Sequence, residues 1–190
     1  MPQDEFPFFC SVDFQVSVPV APWETYEFYV QEITGTMTAM VNDTEETKAG
    51  TVKILKLQAA QAENDQVELL EICDAHSEFL EAMYHAIFDG DGESKPELNI
   101  EPSWNDLIVL WECDVPSQFR RAGGVVRAFE TAITAFGSMD LIVAAMKSDQ
   151  HDFVGLDLTV DEWRQLGFKR IAGSQFAFRD NGCINPYGLE

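Results

Sequence analysis

Two continuous apolar runs, Leu107-Ile108-Val109-Leu110-Trp111 and Leu141-Ile142-Val143-Ala144-Ala145-Met146, constrain this chain more than any other feature. An apolar run without alternation belongs to a strand covered on both faces. Between the two lies an amphipathic helix that carries Val126, Phe129, Ile133 and Phe136 on one face and stops at Gly137. Strand, loop, helix and strand in that order predict a right-handed β-α-β crossover with its strands parallel. The turn that leaves the first strand is where such a unit receives a ligand.

The flanking sequence supplies more sheet and a helical layer. From Cys10 to Val20 the even positions Val12, Phe14, Val16, Val18 and Val20 are apolar, predicting a strand with one buried face. The stretch from Glu24 to Met40 fits either a short helix or further strand. Gly50 precedes Val52, Ile54, Leu55 and Leu57, a strand entered through the polar turn Asn42-Asp43-Thr44-Glu45-Glu46. Val67 to Ile72 is another apolar run after an acidic connection. Phe79, Leu80, Met83, Tyr84 and Ile87 have helical spacing, with Asp74 or Ser77 as N-cap and Asp89-Gly90-Asp91-Gly92 as stop. Glu162 to Leu166 fits a short helix, and an extended tail runs on through Ile171, Phe176 and Phe178. The expected fold is a single α/β domain with a mixed central sheet: N-terminal strands and an acidic helical insert over residues 1–106, a ligand-binding core over 107–180, and a tail over 181–190.

Charge narrows the partners. With 12 Lys+Arg against 33 Asp+Glu, the formal charge is −21, which repels phosphate backbones and anionic membranes and favours cationic partners. A hydrophobic share of 46% still provides a core, which excludes a disordered acidic polymer. Twelve acids between Glu63 and Glu101 stand against one cation, Lys95, so a strongly negative face is expected. Such a face serves solubility, draws in a cationic acceptor such as a polyamine, an aminoglycoside or a Lys-rich protein, or engages a basic protein partner. A homodimer is compatible with the same sequence.

The first residues carry acids where an export signal needs Lys or Arg, and no run of about eighteen apolar residues occurs, so a soluble, cytoplasmic protein is expected. Cys10, Cys73, Cys113 and Cys183 read as reduced, mostly buried thiols. They and His76, His85 and His151 lack zinc spacing. The Asp89–Gly92 loop has Ser94 and Ile100 where a calcium loop needs Gly and Glu. No metal is expected.

The loop Val115-Pro116-Ser117-Gln118-Phe119-Arg120-Arg121-Ala122-Gly123-Gly124-Val125-Val126 carries the chemistry. Unpaired N–H groups at a helix N-terminus favour an anion, and Arg120, Arg121 and Arg127 form the one local basic spot. The pattern Val115-Pro116-x-x-Phe119-Arg120-Arg121-x-Gly123, with its helix, the following strand and Trp163-Arg164-Gln165-Leu166-Gly167-Phe168-Lys169-Arg170-Ile171, resembles the GNAT superfamily of acyl-CoA-dependent N-acetyltransferases. The resemblance runs from about Leu107 to Asp180, and more weakly upstream. It implies acetyl-CoA as co-substrate, its pyrophosphate held by Val115, Arg120, Arg121, Ala122, Gly123, Gly124 and Val125, and direct transfer of the acetyl group to a primary amine.

Two departures stand out: Val125 puts a branched Cβ where the family has Gly or Ala, and Trp163 replaces a Tyr that protonates the departing thiolate, which indole cannot do. Glu112, at the end of the central strand, is the nominated general base, with Asp114 near it. Cys113 has no His or Asp near it in sequence to activate it. A catalytically degenerate member of the same fold, whose acidic face engages a basic partner as a DNA mimic, is the alternative.

Overall fold

The computed structural model describes residues 8–18, 25–41, 45–100, 105–137, 139–147 and 155–181. Its strands are β1 (Phe8–Ser17), β2 (Val30–Val41), β3 (Glu45–Leu57), β4 (Leu107–Asp114), β5 (Leu141–Ala145), β6 (Lys169–Arg170) and β7 (Phe176–Asp180). They form one mixed sheet in the order β1-β2-β3-β4-β5-β7-β6. Only β4 and β5 pair in parallel, joined by the crossover that the two apolar runs predict. Leu107, Ile108, Val109, Leu141, Ile142 and Val143 are all fully buried, because helices cover both faces of these strands. The amino ends of the pair are tied by Lys56, which reaches Asp106 at 3.0 Å and Asp140 at 3.6 Å.

One face is covered by α1 (Ala59–Asn64), α2 (Leu69–His76) and α3 (Glu78–Ile87), whose Ile72, Leu80, Met83 and Ile87 pack on Leu55, Leu57, Val109 and Val143. Each such burial stabilises the fold by about 1.5–3 kcal/mol. Ser77 is the N-cap of α3, its hydroxyl accepting from Leu80 N–H at 3.3 Å. The acidic connection and the apolar run after it are helices α1 and α2, short enough that no amphipathic period develops. The outer surface of this helical layer carries exposed Glu63, Asp65, Glu68, Glu71, Asp74 and Glu78, giving the negative face. Asp89 folds its own loop, accepting from the N–H groups of Asp91 and Glu93.

The other face is covered by α4 (Ser117–Arg121), α5 (Gly124–Phe136) and α6 (Val160–Gln165). The buried stripe of α5 is Val125, Ala128, Phe129, Ala132 and Ile133, while Val126 and Phe136 are only half-buried. The sequence stripe was therefore one residue out of phase at its start. Strand β1 departs from expectation in a related way. Val12 and Phe14 are half-buried beneath α5, but Val16 and Val18 are 44% and 51% exposed. Phe9 meets Arg127 at the start of α5 and Phe14 meets Phe136 at its end, so the later valines overrun the helix.

The open segment resolves into a 3₁₀ turn at Thr25–Tyr29 followed by β2, and Glu45 and Glu46 belong to β3 rather than to a turn. Cys10 is exposed at an irregularity of the β1 edge, not buried. Val20, Asn42 to Thr44, Glu101, His151, Cys183 and the tail from residue 182 lie outside the described residues. Among the described residues no helix is long and apolar enough to cross a membrane.

Candidate functional site

The site lies at the carboxyl ends of β4 and β5. Their ladder runs only from Leu107↔Leu141 to Leu110↔Ala144. Beyond it β4 continues to Asp114 on β3 alone, with a register shift that inserts Trp111 as an extra residue between Leu110 and Glu112. Among the described residues no backbone hydrogen bond joins Trp111–Asp114 to anything but β3. A strand edge therefore opens in the middle of the sheet.

The β5 side of that opening is filled from within. Met146 N–H donates to Gln175 on the β7 side, so by alternation the groups of Ala145 and Lys147 face β4. Leu156 N–H donates to Ala145 O at 2.7 Å and Leu156 O accepts from Lys147 N–H at 3.2 Å. Leu156, 3% exposed, takes the lateral position that β4 vacates. Gly155 makes the approach feasible, because a Cβ there would lie 2.6 Å from Lys147 N and from Met146 C and O. Backbone atoms cannot yield to that overlap.

Arg120 locks this segment. It donates through Nε and Nη2 to Glu162 Oε1 and Oε2 at 3.0 and 2.6 Å, and through Nη2 to Asp157 O. Glu162 also closes the capping box of α6, accepting from Thr159 N–H and Oγ. Burial alone would push the Glu162 carboxyl up, but the hydrogen bonds from Arg120 and Thr159 outweigh it and hold the group below its ordinary value. The hydrogen bond to Glu162 correspondingly raises Arg120. Arg120 thus acts as a clamp in this arrangement, with Glu162, forty-two residues later, as its partner.

The remaining loop residues sort by environment. Residues 117–121 form the short helix α4 rather than an open loop. Gly123, at φ +81°, is the N-cap of α5 and brings no capping side chain, and the first turn of α5 holds no acid. Gly124 and Val125 are buried, so the part of this terminus open to an external acceptor is Gly123 and Val126, both half-buried. Gly124 abuts Phe119 O, Phe9 and Met37 closely. Val125 is fully buried with its side chain in the core, so its Cβ does not stand at the loop surface as expected. Val115 and Ala122 are half-buried. Arg121 is exposed and makes no ion pair among the described residues, and Arg127 lies 5.8 Å from the Phe9 ring centroid.

On the opposite face of the sheet, Glu112 pairs with Lys53 at 2.7 Å, directly across from it in the ladder. Both share the face of Leu55 and Leu57. The hydrogen bond to Glu112 raises the Lys53 ammonium, helped by the charge of Glu32 nearby. Glu32, Glu27, His76, Ser17, Val18 and Val30 line a cleft of about 390 Å³ beside this pair. Burial lowers His76, partly offset by Glu32 and Glu27. Cys113 points to the α4–α6 side, where burial pushes its thiol up to about 12 in spite of Arg120. That environment disfavours the nucleophilic thiolate at neutral pH. Trp163 packs edge-on against Phe168 with centroids 5.5 Å apart.

Sequence reasoning missed Gly155, Leu156, Lys53 and Glu162, although Thr159-x-x-Glu162 is a legible capping box. Among the described residues no three His, Cys, Asp or Glu side chains converge as a metal site. Comparison with protein-family models, curated proteins and solved structures gives no match to this chain.

Proposed function

We propose that the protein transfers an acetyl group from acetyl-CoA to a primary amine, with the coenzyme arm lying along the open edge of β4. The observation that carries this reading is the stretch Trp111–Asp114, held by β3 on one side and without a strand partner on the other, in the middle of the sheet. Strand groups left without partners are costly, and an arm bearing amides can complete their hydrogen bonding. The uncapped N-terminus of α5 would take the pyrophosphate, with Arg121 beside it. Arg120 is spent on Glu162, so Arg121 and Arg127, both exposed and in no ion pair among the described residues, are the cations left.

An arm passing through the opening presents its thioester toward the face that carries Glu112. The amine would come from the cleft lined by Glu27, Glu32 and His76, whose carboxylates suit a cationic acceptor. Glu112, released from Lys53, takes the ammonium proton. The amine lone pair then attacks the acetyl carbon, the C–N bond forms, and the intermediate collapses with loss of the C–S bond. The nitrogen gives up its second proton, which passes through water to the departing thiolate.

A second reading rests on Leu156 and Arg120: a gap filled on one side and a cation already spent favour a degenerate binding protein with an acidic face. Turnover separates the two. Purified protein with acetyl-CoA and spermidine or a Lys-rich peptide should release free thiol, and Glu112→Gln should lower kcat by about a hundredfold. Absence of transfer to every cationic amine tried would favour the second reading.

A further inference from the structure

A second cavity, of about 300 Å³, lies at the far edge of the sheet beside β6. Its lining includes Lys95, Lys169 and Arg170, with Glu97 as its acid and the buried rings and chains of Phe178 and Ile171 as its floor. In this chain such a grouping is unexpected. Six of the 12 Lys+Arg (Lys53, Lys56, Arg120, Lys147, Arg164, Arg179) are in ion pairs, as 33 acids would lead one to expect. Half of the other six line this one cavity.

None of the three makes an ion pair among the described residues. Lys95 Nζ donates to the His85 carbonyl at 2.7 Å, and Lys169 Nζ sits 5.9 Å from the Phe178 ring centroid. The Arg170 fork has no hydrogen-bond partner among the described residues. Three like charges held around one concave apolar floor repel one another until an anion enters. With Glu97, the lining carries a net charge of about +2, which matches a phosphomonoester dianion better than a carboxylate. A guanidinium fork flanked by ammonium groups is suited to phosphate oxygens. The volume is at the small end of ligand pockets, which run from about 300 Å³ upward.

We propose that this cavity binds a small phosphomonoester, its phosphate held by Lys95, Lys169 and Arg170 and its apolar part lying on Phe178. The site is separate from the opening at β4 and does not depend on acetyl-CoA binding.

The probe is phenyl phosphate, titrated by calorimetry at low ionic strength and neutral pH, with inorganic phosphate and benzoate as comparison arms. Saturable binding at millimolar or lower concentration is expected, weakened about tenfold by Arg170→Ala and several-fold by Lys169→Ala. Glu97→Gln should tighten it, and Arg164→Ala, at an exposed arginine outside both sites, should leave it unchanged. Lys169 and Arg170 are exposed, so circular dichroism of both variants should match that of the parent. No saturation by about 10 mM phenyl phosphate, or binding indifferent to Arg170→Ala, would overturn the site. Benzoate binding equally well would overturn the phosphate assignment, and inorganic phosphate binding equally well would overturn the role of the apolar floor.

Discussion

Glu162→Gln keeps the shape of the side chain and removes its charge, at a residue only 8% exposed. The carboxylate accepts from Arg120 Nε at 3.0 Å, Arg120 Nη2 at 2.6 Å, Thr159 N–H at 2.7 Å and Thr159 Oγ at 2.9 Å. The amide offers one accepting oxygen and turns an NH₂ toward the guanidinium or the threonine. Breaking a buried pair by removing one partner costs about 3–5 kcal/mol. The Arg120 side chain is 30% exposed, so water recovers part of its solvation, and the expected loss is about 2–3 kcal/mol. With a urea slope near 2 kcal/mol per molar, the unfolding midpoint should fall by about 1 M.

The pH dependence provides an independent check. Because the folded-state pKa of Glu162 is depressed, its contribution is fully present above the unfolded carboxylate value near 4.3 and is lost as pH falls through the folded value. The parent and variant midpoints should therefore differ at neutral pH and converge in acid. Equal midpoints at neutral pH would refute the view that this pair clamps Asp157 and Leu156 onto the sheet. A difference that persists undiminished into strong acid would refute its electrostatic origin.

Gly155→Ala should destabilise the fold by about 1–3 kcal/mol, because its Cβ meets backbone rather than a movable side chain. It should also speed exchange of the Lys147 amide, which Leu156 O now holds, and unchanged stability and exchange would remove Leu156 from its position beside β5. Cys73 and Cys113, both pushed up to about 12 by burial, should resist a disulfide reagent at neutral pH until the protein is unfolded. Rapid labelling of native Cys113 would contradict the environment described for the end of β4.

Much of the fold was legible wherever burial leaves a period. The unbroken runs of β4 and β5 announced a strand pair covered on both sides, and Gly137 and Ser77 marked helix ends through cap chemistry. Helices α1 and α2 were not legible, because six- and eight-residue helices rich in acid show little amphipathic contrast. The candidate site was legible as a place but not as a set of bonds. Arg120 looked like a ligand-binding cation because its partner comes forty-two residues later, a distance that no local pattern spans. Val125 looked like an obstacle because its side chain was assigned to the loop surface, whereas the helical phase of α5 turns it into the core. Lys53 became the partner of Glu112 only through the β3–β4 register.

The central claim is that the opening between β4 and β5, under the N-terminus of α5, holds an acyl-CoA. Calorimetric titration of the purified protein with acetyl-CoA tests it most directly, with free CoA and a salt series alongside. The predicted result is saturable binding with a micromolar Kd, about −8 kcal/mol, weakened by Arg121→Ala with the fold intact. Heats that never saturate at millimolar acetyl-CoA would contradict the claim.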